Sequence, residues 1–374
     1  MSLQNEKLSS NPSLADIGTL NLEQECALIN AFWPHLHLVH HDYIRDDYEA
    51  FFDFIGKTFR NLHPHASKLA IQELSGLIAI VKNLRDNRCL AQKEFIKYVK
   101  EDFSTSDCAA ITRSIEVAVQ IWLGIYVYSR KFSISPRNPR DSQVEWDDDQ
   151  SLQGIIEAQF PGRLGKIELP DSLLDESFTA VNLKSICRLN IRWTNHIIDH
   201  LKLEGPRGQR TLSVYRHKIC LINHRKDPAQ NLILKDVLDE AIRTLDLLFP
   251  FGDPKTEQFL RNENVHFRTT SPLELSRAAA LKESKYWRNN LAQLSRILHG
   301  PPEDVAQTLL DTRNVSQFAT LWVAIFGVFL LTILFRIFTT VYSIKQYRIA
   351  IQSYELALAL ACQQTIKPIS GFCG

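Results

Sequence analysis

The chain has 374 residues, of which 45% are hydrophobic and 23% are charged, and its formal net charge is +1. This composition lies close to the globular average and excludes a disordered, collagenous or small disulfide-rich chain, while the length predicts about two domains. Because 43 basic residues stand against 42 acidic ones, the overall charge gives no support for nucleic-acid binding.

Residues 1–20 are polar and lack an apolar segment, which predicts a flexible tail and no secretory signal. The 7 cysteines of the chain are widely spaced and form no Cys-x-x-Cys pair. This pattern argues against a zinc ribbon, a thioredoxin motif and a disulfide framework. It favours buried thiols in a reducing compartment.

Apolar residues recur at helical spacing through 21–129, which predicts a helical domain. Helices are expected over 43–59, 71–81, 90–99 and 111–125. The apolar stretch VAVQIWLGIYVY, residues 117–128, overlaps the last of these, is too short to cross a bilayer and follows Glu116. We therefore expect it to be a core helix.

Residues 130–143 are rich in proline, serine and arginine and show no period, which predicts a linker. The next region, 144–265, mixes helix and strand signals and predicts a small α+β unit. Helices are expected over 151–160, 180–189 and 234–248, and a short strand over 190–193. The alternating segments LKLE and TLSVY flank GPRG, which predicts a β-hairpin.

The predicted order helix, strand, helix and hairpin in this unit resembles a winged helix. Arg207, Arg210 and Arg216 would then lie on the wing, and a membrane-tethered nucleic-acid binder stays open as an alternative. We favour no nucleic-acid partner, because a membrane segment downstream makes DNA an awkward partner.

Residues 266–314 predict a helical region next to a membrane. The letters SPLE at 271–274 resemble a capping box with proline at the first helical position, opening a helix that reaches Leu298. The letters GPP at 300–302 end that helix.

The strongest signal is the uncharged apolar segment 318–335, FATLWVAIFGVFLLTILF, which resumes after Arg336 and ends at Ile344. About 20 apolar residues cross a bilayer as a helix, and a soluble core helix is rarely apolar on every face. We therefore predict a transmembrane helix over 315–344, with the lipid bilayer as its partner and Arg336 reaching the headgroups. The side chains singled out in this span are Phe318, Trp322, Phe326, Phe329, Leu334 and Arg336.

Two cues for the orientation of the span conflict. Arg336, Lys345 and Arg348 lie towards its C-terminal end, where the positive-inside rule favours the cytosol. The long segment before the span lacks a signal peptide, which favours a cytosolic N-terminal domain. We give the second cue more weight and expect the N-terminal domain in the cytosol.

The tail, 345–374, is predicted to be basic and amphipathic. Its apolar residues Tyr347, Ile351, Tyr354, Leu358 and Ala361 alternate at spacings of four and three, as in a heptad seam. The seam is too short to predict a coiled coil from these residues alone.

Motif searches give no phosphate-binding loop, dinucleotide fingerprint, nucleophile elbow or kinase signature, and we predict no cofactor. The sharpest partial match is HIIDH, in which His196 and His200 would share one helix face and Asp199 would replace the glutamate of the inverted zinc-peptidase motif. We expect structural histidines there and no metal site. An enzyme of unknown class that uses His196 and His200 with a metal is the alternative.

A second histidine group lies in WPHLHLVHHDY, where spacings of two and three bring several imidazoles close in sequence. Histidine is a common zinc ligand, so a metal site at this group is the alternative. The neighbouring Trp33-Pro34 and apolar residues favour an irregular segment between helices instead. The histidines concerned are His35, His37, His40 and His41.

Several segments resemble a large group of uncharacterised filamentous-fungal proteins that share this order of parts. The resemblance is carried by VEWDDDQSLQ, AVNLKSICRLNIRWTNHIIDHLKL, TLSVYRHKICLINH, IRTLDLLFPFGD and SIKQYRIAIQSYELALALACQ, and it covers about residues 30–364. It implies a fungal origin, membrane attachment and a helix-rich fold. It implies no activity, cofactor or residue role.

Together these features predict a mainly α fold: a helical bundle, a small α+β unit with a hairpin, and a C-terminal transmembrane helix. The leading hypothesis is a membrane-anchored, non-enzymatic protein. Its helical domain would bind a protein partner or self-associate, with no small-molecule substrate evident from sequence.

Overall fold

The computed structural model describes residues 20–103, 107–130, 140–162, 175–227, 232–267, 284–300 and 315–364. The chain divides into two compact units, residues 1–304 and 305–374. We call the first unit the body. The described part of the second unit is one long helix.

Helices dominate the described residues, so the predicted mainly α fold is confirmed. The helices are α1 (Leu22–Phe32), α2 (Arg45–Leu62), α3 (Leu74–Asp86), α4 (Gln92–Lys100), α5 (Cys108–Leu123), α6 (Leu152–Gln159), α7 (Ala180–Ser185), α8 (Lys218–Arg225), α9 (Lys235–Leu248), α10 (Pro254–Asn262), α11 (Arg288–His299) and α12 (Val315–Gln364). The strands are β1 (Val127–Tyr128), β2 (Val144–Glu145), β3 (Asn190–Thr194), β4 (Leu203–Glu204) and β5 (Thr211–Tyr215).

The four helices predicted in the N-terminal region are confirmed as α2, α3, α4 and α5. Helix α5 lies at the centre of the body and is buried on nearly all sides, as expected for a core helix. Asp107 caps its start by accepting a hydrogen bond from the Ala109 backbone N–H at 2.9 Å. Gly124 ends it with a φ of 62°, the left-handed conformation that favours glycine.

A three-stranded sheet follows, in the order β3-β5-β4. The predicted hairpin is confirmed, because β4 pairs with β5 in antiparallel register, Leu203 opposite Leu212. The short strand predicted over 190–193 is present as β3. It pairs with β5 in parallel, from Asn190 opposite Thr211 to Thr194 opposite Tyr215. The helix predicted over 180–189 ends at Ser185.

The second helix of the predicted winged-helix order is wrong. The segment between β3 and β4 is extended at His196 and at His200, and only Ile197–Asp199 forms a single 3₁₀ turn. This segment turns the chain back towards β5, because the Leu201 backbone N–H donates to the Ser213 carbonyl at 2.8 Å. A continuous helix between β3 and β4 would lose this hydrogen bond between Leu201 and Ser213.

One hydrophobic core runs through the body, so the predicted helical domain 21–129 and α+β unit 144–265 do not have separate cores. Strand β1 ends the first region and β2 begins the second, yet the two pair in parallel, Val127 opposite Val144. The predicted linker 130–143 therefore lies between two paired strands. Its residues 131–139 lie outside the described residues.

Helix α9 confirms the amphipathic helix predicted over 234–248. Leu238 and Leu245 on its inner face are fully buried. The buried Glu240 carboxylate on the same helix accepts hydrogen bonds from the backbone N–H groups of Lys285, at 2.7 Å, and Trp287, at 2.7 Å. These charge-assisted bonds fix the chain at the start of α11.

The predicted helix towards Leu298 is present as α11, which ends at His299 with Gly300 as its C-cap. The predicted capping box at 271–274 and the prolines at 301 and 302 lie outside the described residues. So do the predicted tail 1–20, apart from Leu20, and residues 365–374 of the C-terminal tail.

Candidate functional site

Helix α12 is long and apolar enough to cross a membrane, and it is the one such helix among the described residues. Its stretch Ala319–Gln363 reaches a mean hydropathy of 2.4, and no residue of that most apolar window is buried. An apolar helix that packs into no protein core exposes its side chains to its surroundings. The predicted membrane segment is therefore present as a helix of suitable length and composition.

The side chains predicted to mark the span lie on this helix. Phe326, Phe329 and Leu334 are exposed, as is Arg336, and the Trp322 ring packs 5.6 Å from that of Phe326. Phe318 belongs to the helix backbone, and its side chain lies outside the described residues.

Helix α12 continues without a break past the predicted end of the span at 344. At about 1.5 Å per residue its full length is roughly 75 Å, whereas the hydrocarbon core of a bilayer is about 30 Å thick. The heptad positions of the tail remain helical, and most are exposed: Tyr347 (68%), Ile351 (39%) and Tyr354 (61%). We call Tyr347, Ile351, Tyr354, Leu358 and Ala361 the tail seam.

The predicted pairing of His196 and His200 on one helix face is wrong. Both residues are extended, on either side of the 3₁₀ turn, and both are buried. Both ring nitrogens of His200 are engaged: Nε2 lies 2.7 Å from the Thr244 hydroxyl, and Nδ1 accepts from the Tyr215 backbone N–H at 3.3 Å. The Thr244 hydroxyl itself donates to the Ala241 carbonyl, so His200 is the donor at Nε2.

The two hydrogen bonds of His200 fix its ring within the body, and its burial also affects its protonation. Burial lowers the pKa of this imidazole to about 3, which keeps the ring neutral at physiological pH. Asp199, the residue that would replace the catalytic glutamate, is fully buried and accepts hydrogen bonds from the Ser142 backbone N–H at 3.0 Å and from its hydroxyl at 2.6 Å. That carboxylate therefore holds the chain at Ser142.

The side chains of the second histidine group differ in their surroundings. His35 contacts the Asn223 carbonyl at 2.9 Å and the Asp227 carboxylate at 3.3 Å, whereas His40 and His41 are exposed. Within the described ranges, no cluster of three or more histidine, cysteine, aspartate or glutamate side chains is placed to hold a metal ion.

His196 instead lines a polar cleft of about 290 Å³ on the body. The cleft is assembled from α2, α5 and the segments around β1, β2, β3 and β5, and we call it the His196 cleft. Its lining residues are Asp53, Phe54, Lys57, Thr58, Asn61, Leu62, Gln120, Tyr126, Asp141, Gln143, Asn195, His196 and Arg216. Its volume is at the lower end of the range of ligand pockets.

The charges along the His196 cleft are mostly paired. Lys57 Nζ lies 2.6 Å from the Asp53 carboxylate. Asp141 lies 3.6 Å from the Arg192 guanidinium and 3.7 Å from His196 Nε2. Burial lowers the pKa of His196, and the nearby Asp141 and Asp199 carboxylates partly offset this effect.

His196 and Arg216 were predicted for other roles, and the cleft itself was not predicted from the sequence. Its residues come from segments far apart in the chain, and no short spacing connects Asp53, Gln120 and Asn195. The position of Arg216 was a weak signal for a polar cleft. It directly follows the apolar strand β5, where a charged residue is costly to bury.

No family model, no curated protein and no solved structure matches this chain. The resemblance to filamentous-fungal proteins therefore stays a prediction.

Proposed function

We propose that the chain is a single-pass membrane protein, anchored by α12, that self-associates through the tail seam and has no catalytic role. The main support for the membrane anchor is α12 itself, an unbroken helix in which no residue of the most apolar window is buried. In water, so much exposed apolar surface would drive aggregation; in a bilayer it faces lipid.

The anchoring is tested by washing membranes that contain the full-length protein with alkaline carbonate and then with high salt. An integral helix stays with the lipid through both washes. Release of the full-length protein by carbonate would contradict the anchor.

Cytosolic placement of the body is supported by its thiols. Cys89 is exposed, Cys26 and Cys220 are buried, and none of the three is in a disulfide. Exposed thiols persist in reducing compartments and are oxidised in secretory ones. The thiols therefore favour the body in the cytosol. The basic residues Lys345 and Arg348 favour the opposite orientation, with the tail in the cytosol.

Self-association is favoured over a lipid-covered tail because α12 is continuous. A helix that leaves the bilayer along its own axis cannot also lie flat on the membrane surface. Two copies inserted in the same direction leave the membrane side by side and in the same register. Each then covers the tail seam of the other, and burial of a side chain such as Ile351 stabilises the pair by about 1.5–3 kcal/mol.

The seam residues fit a parallel pair. Ile351 and Leu358 alternate with Tyr354 and Ala361 as a and d positions. The charged residues Arg348 and Glu355 lie next to the seam, seven residues apart, at the flanking e positions.

The test compares glutamate on the seam with glutamate on the opposite face. Wild-type protein in mild detergent should elute as a dimer by light scattering, and Ile351→Glu with Leu358→Glu should convert it to a monomer. The matched control, Gln346→Glu with Gln352→Glu, adds the same charge away from the seam and should remain dimeric. A monomeric wild type, or dimeric seam variants, would contradict self-association through this surface.

The metal-dependent alternative has a direct test. Purified full-length protein would have to carry stoichiometric zinc that His200→Ala removes. We expect no such zinc, because both ring nitrogens of His200 already make hydrogen bonds within the body. Stoichiometric zinc that is lost in the variant would overturn the non-enzymatic proposal.

A further inference from the structure

Two buried nitrogens of the His196 cleft lack hydrogen-bond partners among the described residues. They are His196 Nδ1 and Arg216 Nε. An unsatisfied buried polar group destabilises the folded state, and native proteins keep few of them. Both residues line the same cavity, so one bound molecule can contact both side chains.

The ion pairs around the cleft leave one cation unmatched. Lys57 neutralises Asp53, and Arg192 neutralises Asp141. Arg216 has no carboxylate oxygen within 4.0 Å in the described part of the chain, although Asp53 and Glu49 attract it from further away. A partly buried guanidinium without a close counter-ion is suited to an external anion.

The Asp53 and Asp141 carboxylates limit the negative charge of an anion that binds at Arg216. A doubly charged phosphate ester at Arg216 would face Asp53 and Asp141 across a small cavity, and repulsion would offset its second charge. A single carboxylate matches the single unpaired guanidinium, and its two oxygens fit the planar fork of arginine.

The rest of the lining is suited to hydroxyl or amino groups. The side-chain amides of Asn61, Gln120 and Gln143 lie on the cleft and make no hydrogen bonds to other described residues. Each offers both a donor and an acceptor. The His196 imidazole adds a further polar atom, and Phe54 and Leu62 supply a small apolar wall.

We propose that the His196 cleft binds a small polar monocarboxylate, with its carboxylate on the Arg216 guanidinium and its hydroxyl or amino group on His196 and the neighbouring amides. This binding site lies within the body and is independent of membrane insertion and self-association through α12.

The experiment uses full-length protein in detergent micelles and saturation-transfer difference NMR. The probes are L-lactate, L-serine, glycerol 3-phosphate and glycerol. We expect saturation transfer to at least one of the two carboxylates, less to the phosphate ester, and none to glycerol. Arg216→Gln should weaken carboxylate binding at least tenfold, and Arg207→Gln, the same change on an exposed turn, should leave it unchanged.

A second variant protects the test against misfolding of Arg216→Gln. Gln143→Glu keeps the size of a half-buried side chain that makes no hydrogen bonds to other described residues, and it adds a repelling charge to the lining. It should abolish carboxylate binding while near-UV circular dichroism stays that of the wild type. Three results would overturn the proposal: no saturation transfer to either carboxylate, unchanged binding in folded Arg216→Gln or Gln143→Glu, or a preference for glycerol 3-phosphate.

Discussion

At the scale of single residues, Gly124 connects the central helix to the His196 cleft. It has a φ of 62°, and a Cβ at this position would lie 2.9 Å from the Asn195 carbonyl oxygen and 2.8 Å from the Tyr215 hydroxyl. The Gly124 carbonyl also accepts a hydrogen bond from the Ile197 backbone N–H at 3.0 Å. This glycine therefore permits both the turn and the close approach of the chain before His196.

We expect Gly124→Ala to lower the free energy of unfolding by about 2–4 kcal/mol, because it combines left-handed strain with two short contacts. Gly252 is the matched control, since its φ is 76° but a Cβ there would meet no atom within 4 Å. Gly252→Ala should cost only about 1 kcal/mol. Urea unfolding followed by circular dichroism measures the free energy of unfolding of both variants. Equal losses of stability would contradict the role of the close approach at Gly124.

Buried imidazoles make the stability of the body sensitive to acid. His200 and His224 are fully buried, and burial lowers their pKa values to about 3 and about 4. Burial also lowers the pKa values of His196 and His217. In the unfolded chain each imidazole takes up a proton near pH 6.5, whereas in the folded body it does so only at a lower pH.

Below about pH 6.5 the unfolded state therefore binds more protons, and the stability falls as the pH drops towards 4. His224 donates through Nε2 to the Trp122 carbonyl at 2.9 Å, a bond that a glutamine amide can replace. We expect His224→Gln to reduce the slope of the free energy of unfolding against pH, between pH 6 and 5, by about 1 kcal/mol per pH unit. Urea titrations across this range provide the measurement, and an unchanged slope would contradict neutral burial of His224.

At the scale of elements, apolar periodicity predicted the helices of the core well. Leu245 and Trp122 lie on faces inferred from helical spacing, and both are buried, at 0% and 3% exposure. Such stripes are local signals, because a helix shows its buried face within one or two turns. Helices α2 to α5 and α9 were accordingly predictable.

Contacts between distant segments were not predictable from local patterns. The spacing of His196 and His200 suggested a helix, but the pairing of Leu201 with Ser213 of β5 imposes an extended chain instead. The parallel register of β3 on β5 joins residues about twenty positions apart, and no periodicity specifies it. The cleft around Arg216 depends on the same long-range pairing and was missed for the same reason.

The inner face of α9 gives a direct test of the predicted core. Leu245→Asp places a carboxylate in a fully buried position, and we expect a loss of at least about 4 kcal/mol or a failure to fold. Lys235→Asp is the control, because Lys235 is exposed in the first turn of α9. An acidic residue in this turn interacts favourably with the helix dipole. Near-UV circular dichroism separates the outcomes, and wild-type melting of Leu245→Asp would contradict the assigned face.

At the scale of the whole molecule, the proposed topology predicts a specific protease pattern. In sealed vesicles whose cytosolic face is outward, added protease should digest the body and spare a tag at the C-terminus. The reason is the cytosolic placement that the thiols of the body favour. Vesicles opened with detergent are the control, and in them the tag should also be lost.

A protected body with a digested tag would reverse this orientation. Lys345 and Arg348 would then lie in the cytosol, as the positive-inside rule favours. The anchor would stand in that case, and only its direction would change.

The length of α12 links the proposed anchor to the thickness of its membrane. Segment 318–335 spans about 27 Å as a helix and segment 318–344 about 40 Å, whereas hydrocarbon cores range from about 27 Å in the endoplasmic reticulum to about 32–33 Å at the plasma membrane. In the thinner membrane the short segment fits without tilt, and Arg336 lies among the headgroups. In the thicker one, residues beyond Arg336 are drawn into the hydrocarbon, at a cost of up to about 2.5–3.5 kcal/mol for a buried charge.

In the proposed anchor, Arg336 would therefore favour the thinner bilayer. Where it lies at the headgroups, more of α12 projects beyond the lipid than in a thick membrane. If the proposed anchor is correct, Arg336→Leu should reduce this preference, which partition between vesicles with thin and thick bilayers would measure.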